Sequence, residues 1–449
     1  MEYITLENTD LRVSRFCMGG CPLGGYGWGN VRDDELVASV GRALECGVNF
    51  FDTADTYGLG HSELMLAKGL GAHRKDVVIQ SKFGVRAGDG GTYYDNSPAY
   101  IREAPVTENK KRFREIDVLY ALGALLVILG HSHPNDWSTF PGEWVRFIYY
   151  FHMPLFFFIA GFLLCGSASI VRFGYFRWLK DKALRLFTPY FVLSAVSLVP
   201  KYAVEHNGLT GFSARTVLTM FFVPRENVWG HFWFLPVLFI LYSVFGLVKI
   251  FTDKFKRLGA APIVAAACIS LCLHFVGTEI KLFGISDVFD FAVYFAAGYI
   301  LYMLTKKRGE KTEKKSRPGF FDVMRAAVAI ALTALSVVLS RTVGKTAVGA
   351  FAISVIMLAV CWETGQLLKN AEIPLIRQLS DNAFTFYICS WPAQAIVEML
   401  CARAGSPWYF TVPAMFVAGV ICPVIIIFIY RKLKFLHCGF CDLVLGVRR

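Results

Sequence analysis

Residues 96–118 read NSPAYIREAPVTENKKRFREIDV. The first nine look like the start of a soluble helix, with Ser97 as the cap and Pro98 in the first turn. The last ones form a basic threshold before an apolar run that opens at Ile116. Two kinds of protein meet inside this stretch, and the fold follows from reading outward in both directions.

Composition supports the division. The chain has 449 residues, 55% of them hydrophobic and 40 of them Phe, with a mean hydropathy of +0.47. Soluble domains average about 45–50% apolar, so the excess points to a membrane protein. Residues 1–104 are ordinarily polar. Beyond Ile116, runs of roughly 20 apolar residues, the length a bilayer core requires, recur almost to the end. The opening MEYITLENTDLRV carries charges where a secretory leader has its apolar stretch, so the N-terminal part is expected to stay in the cytoplasm. The net charge of +12 comes from Lys and Arg in short loops between the apolar runs, as topology control requires; nucleic acid is not an expected partner. The 12 cysteines are scattered, several within apolar runs, where Cys packs as a small hydrophobe. His437, Cys438 and Cys441 resemble half of a zinc site with no second pair nearby, so no metal is expected.

Ten spans are read from apolar length and charge, at about 116–133, 144–166, 187–203, 230–250, 260–277, 285–304, 320–340, 347–366, 379–398 and 408–430. With residue 110 inside, the inside loops hold Arg172, Arg177, Lys180, Lys182 and Arg185, then Lys254, Lys256 and Arg257, then the run KKRGEKTEKKSR (306–317), then Arg377, then Arg431, Lys432 and Lys434. The outside loops hold fewer, among them Lys201, Arg225, Lys281, Arg341, Lys345 and Arg403. This asymmetry predicts a multi-pass protein of the cell membrane with both termini cytoplasmic. The weak point is 209–224, apolar enough for a re-entrant or interfacial helix.

Polar side chains inside spans are costly and usually face a site. Asp117 and His131 stand at the two ends of the first span; fourteen residues at about 1.5 Å each separate them by about 21 Å. His152 lies in the second span, within FHMPLFFFIAGFL, and His231 and Trp233 open the fourth, within WGHFWFLP. A lone His near a span end more often packs or hydrogen-bonds than catalyses. Three His-bearing segments together favour chemistry, since imidazole is suited to take a proton near neutral pH.

REIDVLYALGALLVILGH, FHMPLFFFIAGFLL, KDKALRLFTPY (180–190), WFLPVLF and SDNAFTFYICSWP (380–392) resemble, in order, the motifs of the integral-membrane acyltransferase-3 family, and most of all its fucose 4-O-acetylase-like members. The resemblance covers about 112–430. It implies transfer of an acyl group, usually acetyl, from cytoplasmic acyl-CoA to a hydroxyl of a sugar or surface glycan, with the lipid bilayer as the other partner. It places the catalytic base at His131 and donor-phosphate binding at Arg177, Lys180, Lys182 and Arg185; His152 and Trp233 are candidate donors to the developing oxyanion. Two positions depart from the pattern. Tyr120 stands where members have Arg or Lys eleven residues before the histidine, and Ser390 where many have a second His.

Upstream, NFFDTADTYGLGHSELMLAKGL, DVVIQSKFG and DNSPAYIREA resemble the opening of the aldo-keto reductases. A hairpin at 1–15, strands at 16–20, 48–52 and 76–82, helices at 33–46 and 61–70, and a helix from 98 fit the first units of a (β/α)8 barrel. The resemblance puts reductase catalytic residues at Asp52, Tyr57 and Lys82. The family's catalytic His and its nicotinamide phosphate site belong to strands that do not follow here, so the three are expected to be inherited but idle, with no NADP-dependent reaction.

The expected architecture is therefore an all-α polytopic membrane bundle of about ten transmembrane helices, over 116–430. It is preceded by an incomplete α/β segment at 1–104 and a junction at 105–115, and followed by a basic cytoplasmic tail at 431–449. A junction through a helix, with no Gly/Ser linker, resembles a fusion of two reading frames, by deletion or by an error of assembly. Rival readings are a carrier or flippase for glycan intermediates, a working reductase, and a chimera without function.

Overall fold

The computed structural model describes residues 1–7, 9–25, 27–29, 31–88, 91–95, 113–133, 140–167, 169–170, 174–205, 213–255, 257, 259–308, 320–371, 373–433 and 439–445. The chain divides into two units, Met1–Arg112 and Phe113–Arg449, described here separately.

The N-terminal unit begins with an antiparallel hairpin, β1 (Tyr3–Thr5) and β2 (Arg12–Ser14), with Ile4 opposite Val13. There follow β3 (Met18–Gly19), α1 (Asp33–Glu45), β4 (Phe50–Asp52), α2 (His61–Leu70) and β5 (Val78–Gln80). β3, β4 and β5 form one parallel sheet in that order. Asp33, Asp34 and Glu35 stand in the first turn of α1, where the helix dipole favours acidic side chains. Leu36 and Val40 of α1, Phe51 of β4 and Met65, Leu66 and Leu70 of α2 make one buried cluster. Gly69 lets α2 approach α1 closely, since a Cβ there would lie 2.5 Å from Val40 Cβ. A second hairpin, β6 (Val85–Gly88) and β7 (Gly91–Tyr94), follows β5; the alternation in that short Gly-containing stretch is too brief to read from sequence. The expected helix from residue 98 lies outside the described residues, as do most of the expected junction (105–112), Arg172, Lys256, the run 309–317, Lys434, His437 and Cys438.

The second unit is helical. In order it contains α3 (Arg114–Gly130), α4 (Phe140–Tyr149), α5 (His152–Gly166), α6 (Tyr175–Glu205), α7 (Ala214–Phe222), α8 (Phe234–Lys254), α9 (Ala261–Val276), α10 (Ile285–Arg308), α11 (Phe320–Thr342), α12 (Ala347–Leu368), α13 (Pro374–Asp381), α14 (Ala383–Arg403), α15 (Trp408–Lys432) and α16 (Gly439–Leu445). Among the described residues, seven helical stretches are long and apolar enough to cross a membrane: 142–166, 175–199, 230–254, 282–305, 322–342, 347–368 and 408–430. The other three expected spans fall on α3, α9 and α14. α3 and α9 have 17 and 16 residues, about 26 and 24 Å of helix, slightly under the bilayer core. Large apolar side chains such as Ile330 (71% exposed) and Phe428 (60%) point outward from these helices, as lipid-facing residues do.

Two expectations need correction. The basic segment 175–185 is not a loop: Gly174 (φ +76°) turns the chain into α6, which runs 31 residues, about 46 Å, so its charged start continues the span beyond the apolar core. The second span is broken. Pro154 has no N–H for the Tyr150 carbonyl four residues back, and that carbonyl instead accepts from Ser354 Oγ at 2.6 Å. His152 therefore opens α5 rather than lying in mid-helix. The stretch 209–224, left out of the ten spans, holds α7, nine residues, too short to span, as that reading expects. Within 431–449, Thr385 Oγ1 donates to the Leu445 carbonyl at 2.8 Å and Tyr430 to Asp442, so α16 docks against the bundle.

Candidate functional site

α3 stops where the chain approaches Pro134, which disfavours helix in the residue before it. His131 is the last residue to join the helix, its N–H bonding to Val127 O at 3.1 Å, while Ser132 N turns in to Leu129 O at 3.1 Å. The Ile128 carbonyl accepts from Ser132 Oγ and from Gln394 Nε2 of α14, both at 2.7 Å, and Gln394 Nε2 also reaches Ser132 Oγ at 2.7 Å. The end of α3 that carries His131 is thus held by a buried amide on a helix more than 260 residues away in sequence.

Three other segments bring aromatic and imidazole rings to this place. The Tyr149 ring lies 6.2 Å from His131 and 4.7 Å from His152. His152 is buried, with Nδ1 3.0 Å from Ile148 O; a carbonyl only accepts, so Nδ1 carries the proton. His231, in the 3-10 turn Gly230–Trp233, lies 5.9 Å from His131, 5.3 Å from Tyr387 and 5.7 Å from Trp391. Tyr387 OH donates to the His231 carbonyl at 2.6 Å and fixes that turn to α14. Trp229 completes the group, 5.8 Å from both His231 and Trp391.

The structure brings His131, His152 and His231 to one cluster. It does not bring Trp233 there: that ring packs on Phe291 (5.1 Å) and Phe157 (6.2 Å), beneath the Arg225 guanidinium at 4.2 Å, and Arg225 Nε donates to Asp287 at 2.9 Å. Trp229 and Trp391 are the indoles beside the histidines. Sequence reading passes over Gln394, although a lone amide in an apolar helix is the kind of signal that could have found it, and over His133, two residues past His131. Ser390, at the departing position, is fully buried one turn before Gln394 on α14.

Asp117, at the other end of α3, accepts from Ser380 Oγ at 2.8 Å. Arg177, Lys180, Lys182 and Arg185 stand on the first turns of α6 and do not share one face, since at about 100° per residue they cover more than half its circumference. Lys182 turns toward α8, its Nζ 4.3 Å from the Tyr242 ring; the other three are exposed. No group of three or more potential metal ligands occurs among the described residues.

In the N-terminal unit, Asp52 ends β4 and Lys82 follows β5. Lys82 Nζ donates to Asp52 Oδ1 and lies 5.1 Å from the Tyr57 ring. Partial burial works against its charge, but hydrogen bonds to Asp52 and Tyr57 hold it above the usual lysine range. An open cavity of about 270 Å³ beside them is lined by residues including Thr56, Tyr57, Lys82 and Phe83.

A family model for the acyltransferase domain matches residues 113–431. The chain belongs to the membrane acyltransferase family. Residues 15–121 match the aldo/keto reductase family, so the two likenesses overlap at the start of α3. Curated relatives of this chain include oxidoreductases. L-galactose dehydrogenase of Arabidopsis thaliana is 30% identical over 210 residues, covering 44% of this chain and 64% of that protein. NADH-specific methylglyoxal reductase of Escherichia coli is 32% identical over 116 residues, 23% of this chain and 36% of that one. Aldo-keto reductase YhdN of Bacillus subtilis is 31% identical over 84 residues, 18% and 25% respectively. The chain therefore spans less than two thirds of the length of each. No solved structure matches.

Proposed function

We propose that the membrane acyltransferase moves an acetyl group from cytoplasmic acetyl-CoA to a hydroxyl of a sugar or cell-surface glycan, with His131 as general base. The observation that carries the reading is the convergence of His131, His152 and His231, from three separate segments, at one end of the bundle. His131 is half-buried at the end of its helix, where an acceptor can reach it. It takes the hydroxyl proton as the oxygen attacks the acyl carbon; the new C–O bond forms, the C–S bond breaks, and the proton passes to the leaving thiolate. His152, behind Tyr149, supports the wall of the site. Trp233, under Arg225, supports the turn that carries His231.

The basic start of α6 is the proposed donor-phosphate site, on the cytoplasmic side with both termini. Charge reversal at Arg177 and Arg185 is expected to raise KM for acetyl-CoA about tenfold or more with little change in kcat. A charge-assisted hydrogen bond contributes about 1.5–3 kcal/mol, and about 1.4 kcal/mol is tenfold in affinity. A fall in kcat at unchanged KM would refute this placement. Membranes bearing the chain, supplied with labelled acetyl-CoA and glycan acceptors, test the activity itself: label must appear as an ester on the acceptor. A carrier of glycan intermediates would leave acceptors unlabelled.

The reductase-like unit is proposed to be idle in this reaction. Deleting residues 1–104, or making Asp52→Ala, Tyr57→Phe or Lys82→Ala, is expected to leave insertion and acyl transfer within twofold of the parent chain, on the order of the ±0.5 kcal/mol of neutral substitutions. NADPH oxidation by the purified chain is expected to be absent. Loss of transfer on deletion would make the fragment a working part of the enzyme.

A further inference from the structure

Several polar atoms in the histidine cluster are fully buried yet have no hydrogen-bond partner among the described residues: Gln394 Oε1, Ser390 Oγ and Trp229 Nε1. Gln394 and Ser390 are both 0% exposed, and native buried polar atoms are rarely left this way. The Gln394 amide cannot be turned over to relieve it. Its NH2 faces the Ile128 carbonyl, which only accepts, so Oε1 must be at the other end, and what it lacks is a donor. Gly419 of α15 leaves room for the side chain, since a Cβ there would lie 2.8 Å from Gln394 Cδ. Ser390 is one turn before it on the same face of α14. Tyr387 and Trp391, which flank His231, share that face.

We propose that Gln394, Ser390 and Trp229 form a binding subsite for a neutral polyhydroxyl acceptor, beside His131. This names the acceptor class for the reading above and rests on it. The unmet requirements are one acceptor that needs a donor (Oε1), one donor that needs an acceptor (indole Nε1–H), and a serine hydroxyl able to do either. A pair of neighbouring hydroxyls satisfies all three, since each can donate and accept. A carboxylate or phosphate does not, because it would set its own lone pairs against Oε1. The subsite therefore takes a pair of neighbouring hydroxyls and excludes an anionic group from the same contacts. Gln394 has two tasks: its NH2 holds the end of α3 that bears His131, and its carbonyl receives a ligand hydroxyl.

Diethyl pyrocarbonate labelling of His131 in the purified full-length chain, read by peptide mass, tests the subsite without needing turnover. The probes are methyl glycosides of glucose, galactose, mannose and fucose at high millimolar concentration, with acetate, an anion that has no hydroxyl pair, as the control. At least one neutral glycoside should slow His131 labelling several-fold and acetate should not. Trp229→Phe and Gln394→Glu should each remove most of that protection. Trp229→Phe keeps a ring and deletes only the donor, so it decides the matter even if the Gln394 variant folds poorly. Equal protection in parent and Trp229→Phe chains, or no protection by any neutral glycoside, overturns the proposal. Protection without any labelled ester in the transfer assay would leave the subsite standing and overturn the acyltransferase reading instead.

Discussion

His131→Ala is expected to lower acyl transfer by about 10²–10⁴-fold, the contribution of a positioned general base, or about 3–5 kcal/mol of barrier. Insertion should be unaffected. The imidazole is half-buried at the last turn of α3, and that turn is closed by backbone bonds and by Ser132 and Gln394, none of which needs the ring. His152→Ala differs in kind, because it removes a buried ring bonded to Ile148 O and should cost stability as well as rate. Initial rates with labelled acetyl-CoA, at matched amounts of inserted protein, separate the two. A loss under about tenfold for His131→Ala would demote it to an interfacial residue.

Gly161→Leu is expected to prevent formation of the folded bundle. A Cβ at Gly161 of α5 would lie 1.9 Å from Phe295 O of α10, and one at Gly298 of α10 would lie 1.9 Å from Phe158 O of α5. The two helices thus meet backbone to backbone through reciprocal glycines, the close packing that membrane helices achieve with small residues. Overpacking a core costs about 1–3 kcal/mol, occasionally more. Here the obstacle is a main-chain carbonyl that has no rotamer to escape into, so the upper end or beyond applies. The helix that would be displaced opens with His152 and follows Tyr149, so activity should fall with stability. Thermal aggregation in detergent provides the measure, with Ile330→Ala as the comparison. Ile330 is 71% exposed on α11, and its loss should change little. An unchanged melting profile for Gly161→Leu would mean that the α5–α10 contact is looser than drawn.

Local patterns account for what was legible in the sequence. The βαβ rhythm of the first 82 residues was legible because strand and helix periods differ, and α1, α2 and β3–β5 fall where those periods place them. The spans were legible because a bilayer demands apolar length, and seven of the ten expected ones fall on helical stretches long and apolar enough to cross a membrane. What misled is equally local. A run of Arg and Lys at 177–185 reads as a loop, yet charge at a helix end costs nothing once the helix leaves the apolar core. Trp233 was chosen over Trp229 for the site. Trp229 precedes the 3-10 turn with non-helical backbone angles (φ −102°, ψ 82°), so the two indoles do not keep the roughly 40° offset that residues four apart have on an α-helix.

By itself the sequence determined the two kinds of segment, the point near Ile116 where one replaces the other, the helices that fill the membrane part, and His131 as the residue to watch. Each of these depends on neighbours within a few turns along the chain. Tertiary structure alone decided that His131 stands beside His231 and, across Tyr149, near His152, that Gln394 holds the end of α3, and that Gly161 and Gly298 meet. Those contacts join residues from about 20 to more than 260 positions apart. No periodicity encodes such separations. They are set by which helix faces can approach closely enough to bury their surface and satisfy each buried donor and acceptor, a condition that only the assembled bundle can meet.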